Sequence, residues 1–333
     1  MTGLYDDAFV ERLRRGAQEL APLWGLGPDT RVRLLTLSEN ATFLAEDPAL
    51  DAPAILRVHR PDYHTRAEIE SELAWIEALR AEDAVDTPEP LRLSTGGHIA
   101  AFEDGVQTRH VVGFRFMPGT EPGTDARLTA GFEMLGAISA RLHGHVRRWT
   151  PPEGFVRKTW NWDSAFGDQP LWGDWRAALG LTEAGRAVLN RLAGSLRTRL
   201  ADYGSGPDRF GLVHADLRLA NLLVDGDRLG VIDFDDCGFS WFAYDFAAAI
   251  SFLETEPYIP DLQAAWLQGY RSVAPLDAEH EAMLPTFIMF RRLLLTAWIA
   301  SHAETETAAW AGLETFTEGT VALAEDYLAT VPV

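Results

Sequence analysis

Residues 211–236 read Gly211-Leu-Val-His-Ala-Asp-Leu-Arg-Leu-Ala-Asn-Leu-Leu-Val224, a short turn, and then Val231-Ile-Asp-Phe-Asp-Asp236. The polar content is His214-x-Asp216, Asn221 five residues further on, and Asp233 beyond a second apolar run. Leu222 to Val224 and Leu229 to Ile232, flanking Asp225-Gly226-Asp227, predict a β-hairpin. Such a hairpin brings Asn221, at the start of one strand, beside Asp233, at the end of the other. Asp216 falls on the loop just before it.

That grouping suits phosphoryl transfer, a reaction that asks few groups of a protein. One carboxylate orients the attacking hydroxyl and accepts its proton, while an Asn and an Asp hold the Mg²⁺ that neutralises the phosphates. The protein-kinase form has a catalytic Asp, an Asn five residues later and an Asp after a hairpin. Asp216, Asn221 and Asp233 stand at that spacing. Oxygen ligands suit Mg²⁺, which keeps several waters and takes only one or two carboxylates from protein. The bland alternative is a polar loop with turn-forming aspartates.

The wording departs from a protein kinase. His-Ala-Asp replaces His-Arg-Asp, Asp233-Phe-Asp-Asp replaces Asp-Phe-Gly, and a short link leads to Tyr244-Asp245-Phe246 with no Ala-Pro-Glu. The stretch resembles the aminoglycoside phosphotransferase family. Its Asp-Phe-Asp-Asp-Cys-Gly-Phe wording and the Leu56-Arg-Val-His-Arg-Pro61 segment look like the branch holding stress response kinase A and type II homoserine kinases. The resemblance implies an α+β, bilobal protein-kinase-like fold: a small N-lobe of antiparallel sheet plus helix, here 1–116, and a larger, mainly helical C-lobe, 117–333. It also implies ATP and Mg²⁺. In that fold an Asp at position 245 supports the catalytic loop through backbone hydrogen bonds, with His214 alongside. Asp235 either assists Asp233 at a metal or faces the acceptor.

A chain of 333 residues with 47% apolar content can bury two real cores. No run of 18 apolar residues suggests a membrane span, and the first residues lack a signal-peptide pattern. A single cysteine, Cys237, excludes an internal disulfide and fits the cytoplasm; it reads as a small residue packed behind the metal loop. The net charge of −20 argues against nucleic acid or an anionic membrane as partner. Lys158 is the only lysine. The acidity serves solubility and would also favour a cationic acceptor.

Working outward toward the N-terminus, residues 128–146 carry Phe132, Leu135, Ile138 and Leu142 at helical spacing, with His143 and His145 read as helix-end residues. Pro118-Gly119 breaks the preceding strand and marks a hinge. By resemblance, the backbone at Phe114 to Phe116 binds adenine. Strands are expected near 91–93, 98–102 and 107–116. The strand Ala54 to His59 holds Arg57 where kinases place a phosphate-contacting lysine paired with a helix glutamate. Glu72 is the expected partner and Glu68, one turn earlier, the alternative. Arg57 fills that role, marks weakened catalysis, or is a strand-edge surface residue. Strands 31–37 and 41–45 flank Ser38-Glu39-Asn40, a turn without glycine that by resemblance lies over the phosphates, with Ser38 and Asn40 as donors; an ordinary turn is the alternative. Residues 5–22 form an amphipathic helix.

Between 149 and 175 stand five tryptophans, which either wall an acceptor cleft or bury a long loop. Thr182 is a plausible N-cap for a helix to about 203. Helices are expected over 261–273, 277–302 and 305–329. Arg291 and Arg292 interrupt the apolar middle one and call for anionic partners. The leading expectation is an ATP-dependent phosphotransferase acting on a small-molecule hydroxyl. A Ser/Thr protein kinase resembling stress response kinase A is the runner-up, and a nucleotide-binding module with little catalysis the third; oligomeric state is left open.

Overall fold

The structure is a computed structural model that describes residues 7–123 and 128–331. The chain divides into two compact units, residues 1–119 with 151–157, and residues 120–150 with 158–333.

In the first unit, helix α1 (Asp7–Leu20) precedes strands β1 (Arg31–Leu37), β2 (Ala41–Glu46) and β3 (Ala54–Val58), helix α2 (Arg66–Ala81), and strands β4 (Ile99–Asp104) and β5 (Gln107–Arg115). The five strands form one antiparallel sheet in the order β1-β2-β3-β5-β4. Leu13 and Ala17 of α1 share a core with Val32, Phe43, Leu56 and Val111 from the strands. No strand forms at 91–93, because the segment meets β5 through a single bridge between Pro90 and Phe114, with Leu91 N–H on Gly113 O and Arg115 N–H on Glu89 O, and Leu93 N–H then turns back to Gly97 O. A capping box opens α2: Thr65 Oγ1 accepts the Glu68 N–H while Glu68 Oε2 accepts the Thr65 N–H at 2.7 Å. That engages Glu68 and leaves Glu72, one turn on, to face β3. Residues 151–157 return to this unit through bonds the sequence did not signal, Val156 N–H to Ser71 Oγ and Arg157 Nη1 to Glu68 O.

The second unit holds the long helices: α3 (Leu128–Val146), the short α4 (Trp162–Phe166) and α5 (Glu183–Tyr203), the last capped by Thr182 Oγ1 accepting the Gly185 N–H. Strands β6 (Phe210–Val213), β7 (Leu222–Asp225), β8 (Arg228–Val231) and β9 (Gly238–Trp241) form two antiparallel pairs, β6 with β9 and β7 with β8. Gly226 turns the β7–β8 hairpin at φ 61°, a region glycine enters without a steric penalty. Helices α6 (Tyr244–Ala249), α7 (Ile259–Val273), α8 (Ala278–Ala282), α9 (Leu284–Ser301), α10 (Glu306–Ala311) and α11 (Leu313–Thr330) complete it. The expected helix over 305–329 is two, because Gly312 adopts φ 80° between α10 and α11. That over 277–302 is also divided, at Met283 between α8 and α9.

Helices α3 and α7 cross closely enough that a Cβ on Gly136 would overlap the Trp266 carbonyl, and one on Gly269 the Glu133 carbonyl. Among the described residues one stretch, Ala278–Ser301, is long and apolar enough to span a membrane, and 83% of its apolar window is buried inside the protein. Trp160, Trp172 and Trp175 are buried. Lys158 to Trp160 run alongside β9, with Trp160 N–H on Phe239 O and Phe239 N–H on Lys158 O, so this part of the tryptophan-rich loop is scaffold.

Candidate active site

The expected site residues fall in two groups, one in each unit. In the second unit, the strand β6 delivers the chain to His214, and five bonds fix the loop that follows. The Asp245 carboxylate, at the first turn of α6, accepts the Ala215 N–H at 2.8 Å and the His214 N–H at 3.4 Å. Ala215 sits at φ 67°, unfavourable for any residue with a Cβ. It is held there from both sides, by Asp245 at its N–H and by Arg291 Nη1 at its carbonyl, 3.3 Å away. The ring of His214 accepts the Asp216 N–H at Nδ1 (3.2 Å) and donates from Nε2 to Ile232 O (3.1 Å). These two partners set the neutral, Nε2-protonated tautomer. His214 thereby ties the Asp216 loop to the strand end before Asp233.

The Asp216 carboxylate is gripped on both oxygens. Oδ1 accepts from Arg291 Nη2 at 2.7 Å; Oδ2 accepts from Arg218 Nε at 3.1 Å and from Asn221 Nδ2 at 2.7 Å. Burial pushes its pKa up, but the Arg218 and Arg291 guanidiniums outweigh that and hold the carboxyl below its ordinary value. It is therefore ionised at neutral pH. Each carboxylate oxygen has room for about two donors, so Oδ2 is saturated and Oδ1 retains one acceptor position.

Asn221 also donates from Nδ2 to Asp216 O (2.9 Å), which turns its Oδ1 away from the carboxylate. Ile232 N–H donates to Asn221 O at 2.9 Å, so the hairpin register sets Asn221 against the residue preceding Asp233. Asp233 is exposed and adopts φ 61°, a conformation Asp tolerates better than most residues. Asp235, in contrast, is buried, as are Phe234 and Cys237. Among the described residues no cluster of three or more His, Cys, Asp or Glu is arranged to hold a metal. An amide oxygen and one exposed carboxylate fit Mg²⁺, which draws its remaining ligands from water and phosphate.

His143, expected as a helix-end residue, is instead fully buried and part of this support. Its Nε2 donates to Asp245 Oδ2 at 3.0 Å and its Nδ1 accepts from the Tyr270 hydroxyl at 3.1 Å. Burial lowers the His143 pKa more than Asp245 raises it, so the ring is neutral; burial also pushes Tyr270 to about 12. The missed signal was periodic: Leu135, Ser139 and His143 lie on one face of α3 at i, i+4 and i+8. Arg291 finds its anion in Asp216, with Ser251 Oγ and the Tyr244 hydroxyl as further acceptors. Arg292 pairs with Glu254 at 2.7 Å and stacks on Phe316.

In the first unit, Arg57 Nη2 bonds both oxygens of Glu72 at 2.7 Å, and both side chains are buried. The Arg57 guanidinium also lies 5.3 Å from the Phe114 ring centroid. A buried, bidentate pair is no strand-edge surface residue. Ser38 is exposed at the β1–β2 turn, whereas Asn40 is buried and its Oδ1 accepts the Arg60 N–H at 3.0 Å, so Asn40 holds the turn in place. The N–H groups of Arg115 and Phe116 donate to Glu89 and Pro53 carbonyls, so neither is offered to a nucleotide base.

Residues 32–276 match the model of the phosphotransferase enzyme family. The chain belongs to that family. It is a mixed α/β, kinase-like phosphotransferase whose reaction is ATP-dependent transfer to a small-molecule hydroxyl. This phosphotransferase is 45% identical to a microcompartment-associated aminopropanol kinase of known structure, with a TM-score of 0.87 over 94% of this chain and 97% of that one. It is 24% identical to amicoumacin kinase of Bacillus subtilis over 83% of this chain and 82% of that protein. An uncharacterized protein of Synechocystis is 26% identical over 75% of this chain, which spans 66% of that relative.

Proposed function

We propose that this phosphotransferase moves the γ-phosphoryl group of ATP to the hydroxyl of a small, amine-bearing alcohol in the cytoplasm, with Asp216 as the catalytic residue. The observation that carries the chemistry is the Asp216 carboxylate, ionised, immobilised by three donors and left with one acceptor position on Oδ1. An acceptor hydroxyl donating there is oriented for attack, as proximity catalysis requires. Its oxygen forms the bond to the γ-phosphorus as the bond to the bridging oxygen breaks, the electron pair leaving with ADP. The hydroxyl proton passes to Asp216 Oδ1 and on to solvent. A carboxyl of lowered pKa is a weak base, which suits a loose transition state in which the proton leaves late.

Asn221 Oδ1 and Asp233 are the protein ligands assigned to Mg²⁺, which when bound neutralises phosphate charge. Asp245, with His143 behind it, and His214 hold the loop. In the first unit, Arg57, kept in place by Glu72, is the phosphate contact, and Ser38 a further donor; Phe114 packs beneath Arg57. The presence of Asp216, Asn221 and Asp233 together speaks against a retired nucleotide-binding module, since a site without catalysis has no need of all three.

The acceptor assignment rests on the aminopropanol kinase likeness, together with a net charge of −20 that draws in a cation. Helix α6 begins at Tyr244, close behind Asp233, so the segment on which protein kinases dock peptides has no counterpart. Purified protein with Mg²⁺ and ATP, offered aminopropanol, ethanolamine, choline, homoserine, an aminoglycoside and a protein mixture, tests this. The highest kcat/KM is expected for aminopropanol or ethanolamine. Preferential labelling of protein, or a preference for an alcohol without an amine, would overturn the acceptor assignment.

A further inference from the structure

Arg218 has two Nη groups that nothing described above engages. Its place is set by the loop: its backbone is extended, with φ −65° and ψ 161°, and its carbonyl accepts the Asn221 N–H at 2.9 Å. Its Nε donates to Asp216 Oδ2. Among the described residues no acceptor meets either of its Nη groups, and the side chain is 29% exposed. Arg291 is the contrast. It bonds Ser251, Tyr244, Ala215 and Asp216 from all three nitrogens and is buried. One arginine is a sealed counter-ion; the other keeps a fork of donors open.

The charges around Asp216 lead to the same place. Two guanidiniums meet that single carboxylate, and Asp233 lies close enough to add to the field on Arg218. Arg218 therefore stands by both the group that orients the acceptor oxygen and the carboxylate assigned to the metal. A phosphoryl group in transit passes between the acceptor oxygen and the metal-bound phosphates, and charge spreads over its three equatorial oxygens.

We propose that Arg218 is a second catalytic residue, its Nη groups donating to the equatorial oxygens of the transferring phosphoryl. This rests on the phosphotransfer reading above. A planar fork of N–H donors matches such oxygens two at a time, which a lysine cannot do.

The test compares wild type, Arg218→Gln and Arg218→Lys. Calorimetry gives the affinity for Mg·ADP with and without aluminium fluoride, which mimics the phosphoryl in flight, and kinetics gives kcat and KM. Arg218→Gln is expected to bind Mg·ADP within about threefold of wild type and to lose at least about tenfold of the tightening that fluoride produces. Its kcat should fall on the order of a hundredfold, the scale for one lost transition-state donor, with KM for ATP unchanged and Arg218→Lys recovering part. Full fluoride tightening in Arg218→Gln would overturn the proposal, whatever happens to kcat. An acid limb moved to higher pH with that tightening intact would show Arg218 acting only through Asp216. Failure of the underlying reading would show separately, as wild type that neither transfers phosphate nor binds Mg·ADP.

Discussion

Asp216 is a carboxylate made strong in position and weak as a base. Replacing it with Asn removes the proposed proton acceptor while keeping the shape, so Asp216→Asn should lower kcat at least about a hundredfold and leave Mg·ADP affinity nearly unchanged; calorimetry and initial rates check both. Because its folded pKa is lowered, the stability Asp216 contributes is present above its unfolded value of about 3.9 and is lost as pH falls through the folded one. Arg291→Met takes away a guanidinium and leaves burial, so the acid limb of kcat/KM should move to higher pH. The same change strands a buried carboxylate and should cost about 3–5 kcal/mol in urea unfolding, with Arg291→Lys milder in both. Ala215 carries strain at φ 67° that Asp245 and Arg291 restrain. Glycine has no such penalty there, so Ala215→Gly should raise stability by up to about 1 kcal/mol, read as a rise in Tm.

Among the elements, the α3–α7 crossing decides how the site is supported. It joins His143 on α3 to Tyr270 on α7, and through them the Asp245 carboxylate. Gly136 and Gly269 allow the two backbones to approach, and the Trp266 indole N–H reaches Ser139 Oγ at 3.2 Å across the same seam. Gly269→Ala should destabilise the protein by about 1–3 kcal/mol, the usual scale for overpacking. Because α7 carries Tyr270, kcat should drop as well, while an alanine at the open Gly131 of α3 should leave kcat unchanged and raise stability by up to about 1 kcal/mol. Much of this level was legible. The apolar stripe of α3 predicted its bounds, and Thr182 predicted the start of α5. Gly312 as a break between α10 and α11 was not, because glycine within a helical pattern is tolerated often enough that only its φ decides.

For the whole molecule, the balance of charge sets how substrates arrive. An excess of 20 negative charges produces a field that attracts a cationic acceptor and repels nucleotide, and salt screens both. Raising ionic strength from about 0.01 to 0.15 M, which shortens the Debye length from roughly 30 to 8 Å, should raise KM for an amino alcohol. A neutral alcohol of the same size should show no such change. The two units each bury their own core, and each holds one group of the site residues.

What the sequence determined by itself was the β7–β8 hairpin and the fold that surrounds it. Short apolar runs on either side of Asp225-Gly226-Asp227 and a handful of polar residues at set spacing are local properties of the chain, and local geometry follows from them. The pairing of Arg57 with Glu72 was also readable, because a strand position and a helix turn narrowed the candidates to two; the capping box on Glu68 then selected one. Only the tertiary structure decided what surrounds Asp216. Arg291 lies 75 residues away along the chain and His143 lies 102 from Asp245. No periodicity encodes which distant side chain meets a given carboxylate. That depends on how helices pack, and a buried charge accepts whichever partner the packing brings within hydrogen-bond reach.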